Sequence, residues 1–295
     1  MLDKLEFLIA LARERHFRRA AEQCGVTQPT LSAGIRSLEE QLGAALVNRG
    51  SRYVGLTPEG ERVLEWARRI TADSRALRQE VETLKRGVAG IIRVAVIPTA
   101  LPIAARLCDG LVQRHPQVRF SIQSASSNAI LAMIEDFAVD GGITYLDKEP
   151  LPDLAVTPLY QEAYNLVTAD PELFAGRGSV SWSEITALPL CLFTPDMQNR
   201  RIVDEMLGPQ TQSAPFTETN SSLVMAALVS SGRWNSIMPP VLIEAVAMSA
   251  AVRALPIIGP EVSHSVGLVV AERDPMTPLA RALTTAAREL AERLA

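Results

Sequence analysis

AAEQCGVTQPTLSAGIRSLEEQLGAALVNR, residues 20–49, is the stretch of this 295-residue chain that decides its N-terminal fold. A short helical block over 18–24 stops at Gly25, a residue that takes the left-handed conformation after a helix at no steric cost. Thr27 then offers its hydroxyl as an N-cap, and Pro29 falls in the first helical turn, where a missing N–H costs nothing. Leu31, Ile35, Leu38 and Leu42 recur at helical spacing and predict one inward face. Gln28, Ser32 and Arg36 fall on the opposite face. The product is helix, tight turn, helix.

Upstream, Leu5, Leu8, Ile9 and Ala12 mark one face of a first helix. Downstream, NRGSRYVGLTPEG, residues 48–60, combines Gly50 and Gly55 with the β-formers Tyr53 and Val54, which predicts a small hairpin with a basic tip. Thr57-Pro58 opens a helix that runs to about Lys85 with no Gly after Gly60. Within it Val63, Ala67, Ile70, Ser74, Leu77, Val81 and Leu84 alternate steps of four and three, the seam of a two-stranded coiled coil. A single helix docked on its own domain is the other reading. The narrow seam and polar remainder favour pairing with a second copy.

Beyond Gly87 and Gly90 strands alternate with helices. Strands are predicted over 91–97, 118–123 and 142–146, with helices over 100–115 and 127–138 between them. A second set places strands near 164–168, 188–193 and 235–238 and helices near 197–207 and 221–231; a strand over 265–271 and a helix over 277–294 close the chain. Such alternation predicts parallel sheets covered by helices, and about 200 residues of it predict two similar lobes with a cleft between them.

The composition, 47% hydrophobic and 21% charged, is that of a globular protein with more than one core. No run of about eighteen apolar residues occurs, and Asp3, Lys4 and Glu6 replace the basic start of a signal peptide, so a cytoplasmic protein with no membrane partner is expected. Cys24, Cys108 and Cys191 are odd in number and far apart, which suits reduced thiols; a redox-sensing thiol is the alternative. Residues 1–87 carry roughly 15 basic and 12 acidic side chains, about +3, against −4 for the whole chain, which suits contact with phosphate at one end only. An enzyme is not expected. His16, His115 and His264 are scattered, and neither a nucleophile elbow, a phosphate-binding glycine loop nor a Cys/His set at metal-ligand spacing occurs. A solute receptor would explain the C-terminal two-thirds but leave the first 87 residues idle.

The 20–49 stretch resembles the signature of the LysR-type transcriptional regulators through Ala20-Ala21, Thr27-Gln28-Pro29, Leu31-Ser32, Ile35, Leu38-Glu39, Leu42-Gly43, Leu46 and Arg49. The wing is similar to that of the family's aromatic-catabolism branch. Similarity continues in 100–120, in Asp140 before a strand, and in LVSSGRWNSIMP, residues 228–239. The chain departs from the pattern at Cys24 and Val47, at Ala33-Gly34 in place of a polar or basic pair, and at Trp234 in place of glycine. The resemblance implies an α/β protein overall: an all-α winged helix-turn-helix at about 1–58, a linker and dimerisation helix at about 59–88, and an effector-binding domain of the periplasmic-binding-protein type at about 89–295. Lobe I of that domain would span about 89–163 and 266–295, and lobe II about 164–265.

Gln28 suits bidentate pairing with adenine, Ser32 can donate or accept, and an exposed helix N-terminus suits phosphate. The resemblance adds Thr27, Pro29 and Thr30 beside them, with Arg36 on the same face; Arg18, Arg19 and Arg52 would hold phosphates or enter the minor groove. For Arg49 a salt bridge and a DNA contact both stay open. One headpiece reads few bases, so double-stranded promoter half-sites call for a homodimer, which family members pair into tetramers; RNA polymerase is a further partner if the protein activates. No cofactor is expected. In the family the inducer sits between the lobes near helix starts, here Pro98-Thr99, Ser126-Ser127-Asn128, Thr194-Pro195 and Asn220-Ser221, with Thr99 and Ser127 matching family positions. Converging N–H groups there favour an anion such as a small carboxylate, although each hydroxyl or amide is also an ordinary N-cap residue.

Overall fold

Three short helices bury their apolar stripes against one another: α1 (Leu2–Glu14), α2 (Phe17–Gln23) and α3 (Gln28–Leu42). The computed structural model describes residues 1–48, 53–148, 150–208, 216–246 and 251–294, and the chain divides into two units, Met1–Arg86 and Gly87–Ala295. In the first unit Leu5, Leu8, Leu11, Ala20, Ala21, Leu31, Ile35 and Leu38 share one core, with Ile9 packed at its edge. Gly25 and Gly43 take the left-handed conformation that ends α2 and α3. Gly34 has a packing reason: a Cβ there would stand 2.6 Å from the Phe7 ring, so α1 and α3 approach closely.

Leu42 departs from the expected inward face and is 45% exposed, because α3 ends there. The buried residue of that last turn is Glu39. Its carboxylate accepts the backbone N–H groups of Leu46 at 2.9 Å and Val47 at 3.2 Å, which would otherwise be unpaired inside the core. Val47 in turn makes an antiparallel bridge to Leu56, the base of the wing; the wing tip, including Arg49 and Arg52, lies outside the described residues.

α4 (Pro58–Arg86) divides the heptad residues between two tasks. Leu64, Ala67 and Thr71 are buried in its first half, where the helix docks on α1. Ile70, Leu77, Val81 and Leu84 stand exposed. Docking on the helix's own domain therefore accounts for Ala67, and leaves an unfilled apolar row on the other half.

The second unit runs β1 (Gly90–Val96), a 3-10 turn (Pro98–Ala100), α5 (Leu101–Arg114), β2 (Val118–Ser124), α6 (Ser127–Glu135), β3 (Gly141–Tyr145) and β4 (Leu154–Glu162). It continues with β5 (Asn165–Thr168), β6 (Val180–Ser181), α7 (Trp182–Ile185), β7 (Leu190–Phe193), α8 (Gln198–Leu207), β8 (Phe216–Thr219) and α9 (Ser222–Ser230). β9 (Ser236–Met238), α10 (Pro240–Ala245), β10 (Arg253–Ile258), β11 (His264–Ala271) and α11 (Pro278–Leu294) complete it. One sheet has the order β2-β1-β3-β11-β4; β6-β10-β5-β9 and β7-β8 form the others. Asp140 ties β1 to the start of β3, its carboxylate accepting the Arg93 N–H at 2.7 Å.

The two larger sheets are mixed rather than parallel, and the β7-β8 pair is purely parallel. β1 is parallel to β2 and β3, but β11 is antiparallel to both β3 and β4. Helical crossovers force only β1, β2 and β3 to run the same way; β11 returns from the other sheet and is free of that constraint. β4 escapes the sequence pattern because Pro158 interrupts it, and the register shifts there, between Val266 and Gly267 of its partner. The chain crosses between the two sheet systems twice, after Glu162 and before His264, and these two residues are paired in register.

Removing the Glu39 acceptor leaves two backbone donors without their partner. Glu39→Ala is expected to cost about 1–3 kcal/mol, with Glu39→Gln, which keeps a carbonyl acceptor, closer to the parent; urea unfolding of the full chain measures both.

Candidate nucleic-acid interface and effector recess

The start of α3 is ordered from within. The Thr27 hydroxyl accepts the Thr30 N–H at 3.3 Å and lies 2.8 Å from the Thr30 hydroxyl. Gln28, Pro29, Thr30 and Arg36 are exposed and Ser32 is half-buried, so these side chains share one accessible helix face. Arg18 pairs with Glu22 at 3.0 Å, and Arg19 donates to the Glu14 carbonyl at 2.6 Å. Both arginines are exposed, and such surface pairs are weak enough to exchange for a phosphate. Arg52 lies outside the described residues.

In the second unit a small recess is lined by Thr99, Ser126 and Ser127 together with Tyr145, Phe193, Met197, Gln198 and Asn199, and by Ile97 and Pro98. It brings together the starts of α6 and α8 and the turn that leads into α5. The hydroxyls of Thr99 and Ser127 and the amide nitrogen of Asn199 are buried there without a hydrogen-bond partner. Asn128, Thr194, Pro195, Asn220 and Ser221 are not among the lining residues. Ser221 instead caps α9, accepting the Val224 N–H at 3.4 Å. Asn128, Pro195 and Asn220 are exposed and Thr194 is half-buried.

Behind the recess lies a carboxyl group that composition and motifs do not mark. Glu162 is fully buried; the Tyr145 hydroxyl donates to it closely, and the Tyr160 hydroxyl donates at 3.1 Å. Thr99 and Asn199 stand near enough to favour its charge, yet neither makes a hydrogen bond of normal geometry to it. Burial outweighs these polar neighbours and raises the Glu162 carboxyl above the ordinary range. The same burial, together with the carboxylate's charge, raises the Tyr145, Tyr160 and Tyr164 hydroxyls. A usable sequence signal exists: Tyr160, Glu162 and Tyr164 alternate, which places all three on one side of an extended segment. Met197, Gln198 and Asn199 carry no comparable mark, since N-cap patterns point to Thr194 instead.

Burial also raises all three thiols, Cys108 and Cys191 to about 11. Cys24 and Cys108 are half-buried and Cys191 is buried. Among the described residues no group of three or more His, Cys, Asp or Glu side chains could hold a metal ion, and no helix is long and apolar enough to cross a membrane.

Comparison with known families gives two matches: the LysR substrate binding domain over residues 85–292, and the bacterial regulatory helix-turn-helix protein, lysR family, over residues 2–61. The chain belongs to the LysR family. This LysR regulator is a DNA-binding transcription regulator with an effector-binding domain, and not an enzyme. It is 28% identical over 290 residues to a hydrogen peroxide-inducible genes activator of Dickeya chrysanthemi, covering 97% of this chain and 94% of the relative. A full-length OxyR variant from Pseudomonas aeruginosa shares the fold with a TM-score of 0.76 at 23% identity, covering 98% of this chain and 94% of that one. CbnR in complex with its target DNA shares it with a TM-score of 0.66 at 19% identity, each chain covered completely.

Because the folded chain holds a proton on Glu162 to higher pH than the unfolded chain does, this group's contribution to stability falls as pH rises from the ordinary carboxylate range through the raised value. Glu162→Gln removes that decline. Measured by urea unfolding at pH 5 and pH 8, the variant is expected to gain relative to the parent at the higher pH; a constant difference counts against the raised carboxyl.

Proposed function

We propose that this LysR regulator reads promoter half-sites with Gln28, Ser32 and Arg36, steadied on phosphates by Arg18, Arg19 and Arg52, and that a small carboxylate bound in the recess tunes its output. Thr27, Pro29 and Thr30 shape the first turn of the reading helix. The observation that carries the effector reading is the pair of buried, unpartnered hydroxyls, Thr99 and Ser127, beside helix starts that favour negative charge. Ser126 lines the same recess. Asn128, Thr194, Pro195, Asn220 and Ser221 fit better as rim or capping residues than as direct ligands. The exposed row Ile70, Leu77, Val81 and Leu84 suits pairing of two copies across one operator. The functional divisions proposed are about 1–58 for DNA, 59–88 for pairing and 89–295 for the effector. Action on RNA polymerase follows only if the regulator activates.

A peroxide-responsive reading has the similarity to the hydrogen peroxide-inducible genes activator of Dickeya chrysanthemi behind it. It needs a reactive thiolate, and burial raises all three thiols, Cys108 and Cys191 to about 11, which disfavours that form. The carboxylate reading is therefore preferred.

The DNA assignment is tested by gel shift on the region upstream of the regulator's own gene. Gln28→Ala should lose about 1–3 kcal/mol of site-specific affinity and Ser32→Arg should abolish specific binding, with the fold intact by circular dichroism; unchanged affinity in both refutes it. The effector assignment is tested by thermal-shift screening of simple carboxylates, followed by Thr99→Val and Ser127→Ala. Both should weaken a hit at least several-fold and spare basal DNA binding, whereas a response to peroxide and to no carboxylate would reverse the preference.

A further inference from the structure

Three groups meet at the inner end of the recess, and their hydrogen bonding does not close. Thr99 and Asn199 line the recess, are buried, and have an unpaired hydroxyl and an unpaired amide nitrogen. Both also flank Glu162, which is fully buried at the first crossing between the sheet systems. Glu162 takes its two firm hydrogen bonds from Tyr145 on β3 and Tyr160 on β4. Its cross-strand neighbour on β11 is His264, whose Nδ1 lies 2.8 Å from Asp147. Tyr164, on the crossing segment, feels the charges of Glu162 and Asp147, and its hydroxyl is buried and unpaired. The groups that act on Glu162 are thus hydroxyls and an amide, all uncharged.

An anion in the recess and an ionised Glu162 make the same demand on Thr99 and Asn199. The Thr99 hydroxyl has one hydrogen to point at one acceptor at a time, and two negative charges separated by a few ångströms of protein repel strongly. We infer that Glu162 sets the charge rule of the recess: a carboxylate seated there draws the Thr99 hydroxyl and the Asn199 amide to itself and binds together with one proton taken up from solvent on a Glu162 oxygen. No bond of the ligand changes. The one bond formed is the O–H on Glu162, and the site carries −1 both before binding, on Glu162, and after it, on the ligand. Glu162 is on this reading a specificity-determining residue: it admits a singly charged carboxylate with a proton and disfavours a second charge at the inner end. The inference rests on the anionic-effector reading above and goes beyond it in naming the group that pairs binding with a proton.

The experiment uses the full chain with benzoate and acetate as probes, titrated by calorimetry between pH 5 and pH 9 in buffers of different ionisation enthalpy. For the parent, the apparent Kd is expected to rise toward tenfold per pH unit above the break set by Glu162, with close to one proton absorbed per ligand there. Glu162→Gln should bind with a flat profile and at pH 8 at least as tightly as the parent. Tyr160→Phe removes one donor that favours the charged carboxyl, so its break should move to higher pH, a shift that a merely structural role would not produce. His264 is present in every variant, so the difference between profiles belongs to Glu162. A parent profile with no slope, or the same slope in Glu162→Gln, overturns the inference and leaves the anionic site standing. Absence of binding by either probe to any of the proteins across the range overturns both. Should Glu162→Gln fail to fold, the proton count of the parent and the break in Tyr160→Phe still decide.

Discussion

A buried carboxylate without a cation beside it constrains everything packed around it. Glu162 is held by tyrosine hydroxyls from two strands of the same sheet, and it is the last residue of β4, just where the chain leaves that sheet. Its register partner His264 is the first residue of β11, just where the chain returns. The two crossings are therefore tied at one polar point. Thr99 approaches this point from the turn before α5 and Asn199 from the start of α8. A change in the state of that carboxyl acts on residues of both sheet systems at once.

The first unit uses a buried carboxylate in the opposite way. Glu39 accepts two backbone N–H groups of the segment after α3, so its task is to close a ledger of backbone donors and thereby fix where the wing begins. Such a group is fully satisfied and leaves nothing for a ligand. Near Glu162 the orphans are side-chain donors that face a recess. The difference between satisfied and unsatisfied polar neighbours separates the structural Glu39 from the proposed role of Glu162 more clearly than burial does, since both are buried.

The helix-turn-helix was legible in sequence because its signals are local: a glycine after one helix, a capping threonine and a proline two residues on, and a stripe at helical spacing. Leu42 was misplaced for the same reason, since periodicity does not say where the core stops and the last turn of α3 runs past it. The heptad row on α4 was legible as a pattern and ambiguous as a contact, and the structure assigns its first part to the chain's own core. In the second unit the βα alternation showed the five longer helices and the parallel strands β1, β2 and β3, while the short α7 and α10 and the strands β6, β8 and β10 were not marked. β4 was hidden by Pro158, and with it the antiparallel half of the sheet and Glu162. Thr99, Ser126 and Ser127 were named because the family resemblance points to helix starts, which also named Asn128, Thr194, Pro195, Asn220 and Ser221 outside the lining. Asn199 and Tyr145 were not, because only the fold brings α8 and β3 to the same place.

Regulation demands more of this recess than affinity. A ligand shifts an equilibrium between two arrangements only by binding one of them better, and equal binding to both changes nothing however tight it is. Donors that already have partners in the unliganded chain add little to such a difference, because what they gain from the ligand they lose from the protein. Ser127 lacks a partner, and Thr99 and Asn199 make no hydrogen bond of normal geometry to Glu162, so on the proposed reading a ligand that fills them gains more than it displaces, and does so only in an arrangement that brings α8 up against the turn before α5 and the start of α6. The unsatisfied donors are in that sense the source of the preference: they make the closed recess costly when empty and favourable when filled, which is the condition for a small molecule to control the conformation of a much larger chain.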